Sequence, residues 1–447
     1  MCGIFGITDN KDAAKLAYVG LFTLQHRGQE SAGIVTDDHG ALLPYTGMGL
    51  VNEVFNNEVL RKLEGRNAVG HIRYSTTGSS HIKNAQPLVL NSCLGNVAVA
   101  HNGNITNADA IKAKLQKGGA IFQSSSDSEV ILHLAARHKG RTLEDTLAAN
   151  LPKLAGAYAF LFMTPGKVIG ARDPYGYRPL VLGKLGKSYI LASETCAIEV
   201  AGGKTLREIE PGEMVVITGG KLKSRRFAPV KKFTRCIFEQ VYFARPDSVV
   251  AGRSVQTARY EIGAMLAREL KDVQADIVSG VPDSGTVYAM GYAKESGIPY
   301  QTVFMRNHYT GRSFIQPDQK LREFTAHLKL APIRDVIKGK TIILIDDSLV
   351  RGTTSRKIVA NLKRAGAGKI IMAIASPAII SPCYFGIDTP TKGELIANRL
   401  SHEKIRRYIG ADALHYLSLP SLRAACGDHK DDNFCVSCFT GKYQEAL

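Results

Sequence analysis

The 447-residue chain has no apolar run approaching the roughly 20 residues a membrane-crossing helix needs. No basic stretch followed by an apolar one opens it, so no secretory signal is expected and a cytoplasmic location is the default. Low-complexity segments are missing too, and the composition is that of a globular protein. Acidic residues are in deficit: Lys and Arg total 57 against 40 Asp and Glu, a net charge of +17. Such a charge favours nucleic acid or small anionic substrates through steering. Between Lys221 and Arg235 seven of fifteen residues are basic and none is acidic. No aromatic interleaving or repeated motif accompanies them. The stretch reads as a solvated linker or exposed hairpin, and neither nucleic acid nor membrane is expected as a partner. Eight cysteines in a cytosolic chain are thiols, ligands or nucleophiles before they are disulfides. The length allows two or three domains with large cores.

The richest stretch runs from Thr341 to Ser355, TIILIDDSLVRGTTS. Thr341 to Ile345 read as a strand buried on both faces, as in a parallel sheet. Asp346 and Asp347 end it, a Gly-Thr-Thr loop follows, and Ser355 to Ala365 have helical spacing. A second apolar run, Lys369 to Ala375, completes a strand–loop–helix–strand unit. A loop opening a helix offers unpaired N–H groups and the positive end of the helix dipole to an anion. Arg351, Gly352, Thr353 and Thr354 are thus candidates to cradle a phosphate. The two carboxylates suit sugar hydroxyls or a magnesium ion. A Walker loop is excluded, because the lysine after the second glycine is missing.

The same logic finds a second anion nest. Ile277 to Val281 read as a strand, Pro282 to Thr286 as the loop after it, and Val287 to Ser296 as a helix. Asp283, Ser284, Gly285 and Thr286 are its candidate residues. The basic, patternless run from Arg306 to Arg322 suits a lid over a polyphosphate.

At the other end, the chain begins Met1-Cys2-Gly3. Once Met1 is removed, the Cys2 thiol lies beside its own α-amine. That amine has a reference pKa of about 8 and can serve as general base. Val97 to Ala100 read as a strand entering His101-Asn102-Gly103-Asn104. Asn-Gly is ordinarily a hairpin turn, but an Asn amide and a Gly N–H can also form an oxyanion hole. Asp127, before the helix Val130 to Arg137, is either an N-terminal cap or the partner of a substrate ammonium. Near the C-terminus Cys435-Val-Ser-Cys438 has metal-ligand spacing. A zinc ribbon needs a second close pair, and there is none, so a redox pair, half a zinc site and no function all remain open.

Taken together, Cys2-Gly-Ile-Phe-Gly-Ile, His26-Arg27-Gly28-Gln29-Glu30, the Arg73 stretch, Asn102-Gly103, Asp127, Arg172 to Pro179 and Ala192 to Thr195 resemble the N-terminal-nucleophile glutamine amidotransferases. The resemblance implies a four-layer αββα sandwich in residues 1–232. It implies Cys2 as nucleophile, Asn102 and Gly103 as oxyanion donors, and Arg73 and Asp127 as holders of the glutamine carboxylate and ammonium. The Asp346 stretch is similar to the motif of type I phosphoribosyltransferases, implying an α/β domain over residues 233–447. There Asp283 to Thr286 would take pyrophosphate, Arg351 to Thr354 the 5-phosphate, and Ser284, Asp346 and Asp347 one Mg²⁺ and the ribose.

That domain pair resembles the amidophosphoribosyltransferase family, in its iron–sulfur subclass. The implied reaction is the first committed step of purine synthesis. Phosphoribosyl pyrophosphate (PRPP), glutamine and water give phosphoribosylamine, glutamate and pyrophosphate, with ammonia passed internally. The resemblance further implies a [4Fe–4S] cluster on Cys236, Cys383, Cys435 and Cys438, a homotetramer, and feedback by purine nucleotides. Two other readings are a purine-sensing regulator and an amidotransferase with a different acceptor. The Cys2 set speaks against the first and the Asp346 stretch against the second.

Overall fold

The computed structural model describes residues 1–74, 80–138, 140, 142–307, 330–389, 391–427 and 433–445. Thirteen strands come first in the chain. They are β1 (Gly3–Ile7), β2 (Ser31–Asp38), β3 (Ala41–Met48), β4 (Asn67–Arg73), β5 (Leu88–Ser92), β6 (Gly95–Ile105) and β7 (Gly156–Thr164). After them come β8 (Lys167–Arg172), β9 (Val181–Leu185), β10 (Ser188–Ala192), β11 (Lys204–Glu208), β12 (Glu213–Thr218) and β13 (Lys221–Arg226). They form a seven-stranded sheet ordered β11-β9-β10-β1-β4-β2-β3 and a six-stranded sheet ordered β13-β12-β8-β7-β6-β5. Every pairing within the two is antiparallel.

Side-chain alternation makes these sheets the middle of four layers. Ile4, Val69, Ala100 and Leu161 meet in the core between the sheets. Their neighbours Phe5, Ile7, Ala68 and Ile72 point the other way, into a core shared with the helix Ala13–Thr23. The far face of the second sheet packs Val99, Phe160 and Phe162 against the helices Glu129–Arg137 and Leu143–Asn150. A strand covered on both faces needs no polar side, which is why β1 and β4 are buried throughout.

The basic stretch resolves into two parts. Lys221 to Arg226 are β13, the exposed edge of the second sheet and one arm of a hairpin with β12. Charged side chains on an open edge discourage pairing with another chain. β14 (Arg235–Cys236) follows.

In the second half, β15 (Val249–Val250) pairs with β16 (Arg253–Ser254). β17 (Ile277–Gly280) opens a parallel four-stranded sheet, and β18 (Phe304–Arg306) pairs with β19 (Leu330–Pro332). β20 (Thr341–Asp346), β21 (Lys369–Ile374) and β22 (Ala413–Tyr416) complete the sheet in the order β17-β20-β21-β22. Along β20, Ile342 and Leu344 face one core and Ile343 and Ile345 the other. The helices Val255–Glu269 and Ser284–Ser296 cover one face and Thr353–Arg364 the other. β23 (Phe434–Cys435) runs parallel to β14, joining the tail to the start of this half. No helix among the described residues is long and apolar enough to cross a membrane.

Candidate active site

Cys2 precedes β1 at the carboxyl end of the neighbouring β4, beside β6 of the other sheet. Its backbone N–H donates to Asn102 Oδ1 at 3.1 Å, and its thiol faces the carbonyl of Tyr74 at 3.7 Å. Burial pushes the Cys2 thiol up, while the neighbouring α-amino charge opposes that. Burial also brings the Met1 α-amine down to about 6. That amine leaves with Met1; while Met1 is attached, the Cys2 nitrogen is an amide and not a base.

Asn102 is fully buried, and its Nδ2 has no hydrogen-bond partner among the described residues. An unspent buried donor beside a thiol is expensive unless a ligand uses it. Here the Asn-Gly reading needs correction. Asn102 and Gly103 do not turn the chain; β6 runs straight through them to Ile105, opposite Ala159 and Tyr158 of β7. Sheet context overrides the turn preference. The Asp127 capping alternative also falls. Ser128 holds the cap position, and Asp127 instead accepts from the Ile105 N–H at 2.9 Å and faces His101 at 3.7 Å. Burial raises the Asp127 carboxyl, but His101 and these hydrogen bonds outweigh it and hold it low. Arg73, at the end of β4, pairs with Glu30 at 2.6 Å. Residues 75–79 lie outside the described residues.

Sequence reasoning quoted His26, Arg27 and Glu194 but gave them no role, and it missed Glu239. Arg27 is fully buried and donates to Glu194 at 2.6 Å, to Glu239 at 2.8 and 2.9 Å, and to the carbonyl of Cys2 at 3.0 Å. His26 meets Glu194 at 2.7 Å. Burial alone would raise the Glu194 carboxyl; His26 and Arg27 reverse that and keep it ionised. No local signal in the sequence joins them: His26-Arg27 sit in a short polar turn and Glu194 in the bend after β10.

On the other side, β20 delivers Asp346 and Asp347, both buried. Burial, and then the charge of Asp347, pushes Asp346 well up, and burial raises Asp347 against a hydrogen bond from Ser284. Two adjacent buried carboxylates held this way suit a divalent cation, which would relieve both penalties. The Gly285 backbone packs on the end of β20: a Cβ there would lie 2.3 Å from the Ile345 carbonyl oxygen. The two anion loops therefore sit side by side at the carboxyl ends of parallel strands. Gly352 caps the helix Thr353–Arg364 with φ +75°, a conformation that favours glycine. The helix starts two residues earlier than its spacing suggests, so Thr353 and Thr354 lie in its first turn. Arg351 pairs with Glu394 at 3.3 Å, and Asp283 pairs with Arg306. Most of the expected lid, from His308 on, falls outside the described residues.

One cavity of about 740 Å³ joins the two sides. Met1, His26, Arg27 and Tyr74 line it from the first half, and Ser284, Asp346, Asp347 and Arg351 to Thr354 from the second. Cys383 and Cys438 also reach it.

The four cysteines of the expected cluster are all unpaired thiols. Cys236 and Cys435 are opposite each other in the β14–β23 pair. Burial, then the fields of Cys435, Cys236 and Cys383, raises the Cys438 thiol. Yet the described residues contain no group of three or more His, Cys, Asp or Glu spaced for a single metal ion. Four thiolates are the donor type that an iron–sulfur cluster takes. Cys93 is exposed, and Cys196 and Cys426 are buried elsewhere.

Fold and site together define a class: an N-terminal-nucleophile glutamine amidotransferase joined to a type I phosphoribosyltransferase domain. Residues 71–200 match the family model for the glutamine amidotransferase domain. The chain is 49% identical over 446 residues to the amidophosphoribosyltransferase of Bacillus subtilis, covering 99% of this chain and 94% of the relative. It belongs to the amidophosphoribosyltransferase family. The Methanocaldococcus jannaschii member is 45% identical, with 99% of this chain and 97% of the relative covered. A solved structure of the glutamine PRPP amidotransferase from B. subtilis, complexed with ADP and GMP, superposes with a TM-score of 0.94 at 48% identity. It covers 99% of this chain and 97% of that one.

Proposed function

We propose that the two sides of the shared cavity divide the family's reaction. The observation that carries this reading is the cavity itself, lined both by Met1, Arg27 and Tyr74 and by the Asp346–Asp347 pair with its phosphate loop. Arg73 and Asp127 hold the glutamine carboxylate and ammonium. The Cys2 thiol, its proton taken by its own α-amine after Met1 is removed, attacks the side-chain amide. Asn102 Nδ2 and the Gly103 N–H receive the oxyanion, and the amine returns the proton to the departing ammonia. Water then releases glutamate from the thioester.

On the acceptor side, Arg351 to Thr354 seat the 5-phosphate of PRPP and Asp283 to Thr286 its pyrophosphate. Ser284, Asp346 and Asp347 hold the ribose and one Mg²⁺. When bound, magnesium neutralises charge on the departing pyrophosphate. Ammonia crossing the cavity attacks the anomeric carbon, and the product is phosphoribosylamine. Cys236, Cys383, Cys435 and Cys438 would hold one [4Fe–4S] cluster, tying the start, middle and tail of the second half together. The B. subtilis relative bound to ADP and GMP supports feedback by purine nucleotides. A homotetramer and a cytoplasmic location complete the reading.

The test is a phosphoribosylamine assay with PRPP and either glutamine or ammonia, with and without magnesium. Both donors should support synthesis, each only with magnesium. Cys2→Ala should remove the glutamine-dependent rate and spare the ammonia-dependent one. Equal loss of both would refute the division of labour.

A further inference from the structure

Gly103 is held from two sides. A Cβ placed on it would lie 2.0 Å from the carbonyl oxygen of Ala157, on β7. A segment of the second half, Cys383 to Asp388, also packs against it. A Cβ at Gly386 would lie 2.9, 3.0 and 3.1 Å from the carbonyl carbon, Cα and carbonyl oxygen of Gly103. Gly386 has φ +98°, so no side chain sits there without strain.

The approach is fixed by bonds around it. Asn104 Nδ2 donates to the Tyr384 carbonyl at 2.9 Å. The next ring, Phe385, is buried and stacks on Tyr177 with centroids 4.3 Å apart and planes 12° from parallel. The Phe385 N–H donates to Cys383 Sγ at 3.3 Å. The segment therefore cannot retreat freely.

We infer that Gly386 is a positioning residue for the glutaminase: the second half of the chain supplies the backstop behind the Cα and carbonyl of Gly103, and so holds the residue whose N–H faces the oxyanion. This rests on the reading of Asn102 and Gly103 as oxyanion donors. Such donors act within about 2.7–3.1 Å of the developing charge. A methyl at Gly386 must displace either its own anchored segment or Gly103 by several tenths of an ångström. The loss falls on the transition state, where the oxyanion exists, and not on substrate binding. The glutaminase site is in this sense completed by residues that the acceptor domain contributes.

The experiment compares Gly386→Ala and Gly386→Val with the parent enzyme. Readouts are kcat and KM for glutamine, the ammonia-dependent rate, and inhibition by γ-glutamyl aldehyde. The adduct of that aldehyde with Cys2 carries the tetrahedral oxygen. Gly386→Val should lower the glutamine-dependent kcat about 10- to 100-fold with KM unchanged. The aldehyde should bind more weakly by a similar factor, and ammonia-dependent synthesis should persist. Asn104→Ala, which frees the segment without crowding, should give a smaller loss of the same kind and covers the case in which the valine variant does not fold. Parental glutamine turnover and aldehyde binding in these variants, or parallel loss of both donor activities, would overturn the inference. Asn102→Ala is the control. If it too leaves kcat intact, the oxyanion reading fails; if it alone is impaired, only the role of Gly386 does.

Discussion

Arg27 and Glu239 form a two-pronged ion pair across the seam between the halves of the chain, at 2.8 and 2.9 Å. Neither side chain is more than 2% exposed. The remaining donors of the same guanidinium serve Glu194, the carbonyl of Cys2 and the Met1 sulfur. The backbone of the nucleophile is thus tied, through one planar fork, to the first turn of the second half.

Removing that fork takes from Glu239 its two-pronged partner, leaving Arg178 at 3.6 Å, and leaves Glu194 to His26. Arg27→Ala should destabilise the protein by about 3–5 kcal/mol, the usual penalty for breaking a buried pair. Urea unfolding measures it. Arg27→Lys should recover only part, because an ammonium cannot reach three directions in one plane. Parental stability in Arg27→Ala would mean the network is not closed as described.

Asp346→Ala should abolish synthesis from glutamine and from ammonia alike, since both nitrogen sources need the ribose and metal held. Glutamine hydrolysis measured by itself should survive. Ammonia-dependent synthesis in this variant would remove PRPP from the Asp346 site.

Acid stability should bear the mark of His71. Its Nε2 faces the His101 carbonyl at 3.1 Å, and burial lowers its pKa to about 3. The unfolded chain takes up that proton near 6.5. The unfolded state therefore binds more protons below 6.5. The contribution of His71 is full above 6.5 and is lost as pH falls toward 3, at up to about 1.4 kcal/mol per pH unit. In His71→Asn the loss of stability between about pH 6 and pH 4 should be shallower by that amount. Urea midpoints across this range decide it, and identical slopes would count against the neutral buried imidazole.

Purified protein should be brown and carry about four irons per chain. Cys435→Ser should lose colour and iron and loosen the β14–β23 pair, seen as faster hydrogen exchange around Cys236. A colourless zinc protein would dispose of the cluster.

The parallel sheet was legible because a strand buried on both faces writes itself as an unbroken apolar run, as Thr341 to Ile345 do. The loops that open the helices at Ser284 and Thr353 were legible because glycine and hydroxyl residues follow an apolar strand there. Asn102-Gly103 left a turn and an oxyanion hole both open, and only the pairing with β7, which holds the strand straight, removes the turn. The charge network was out of reach for a different reason. Arg27, Glu194 and Glu239 are far apart in the chain, and each alone resembles a surface residue. The approach of Gly386 to Gly103 leaves no trace in composition, because a glycine does not declare which backbone it admits.

The volume shared by the two sites has a kinetic meaning. One molecule confined to about 740 Å³ is at a local concentration of about 2 M. In bulk water at neutral pH nearly all ammonia would carry a proton and be useless as a nucleophile. A single neutral molecule handed across this space outcompetes any external supply that a cell could tolerate. Leakage, rather than chemistry at either end, then sets how many glutamines are consumed for each product made.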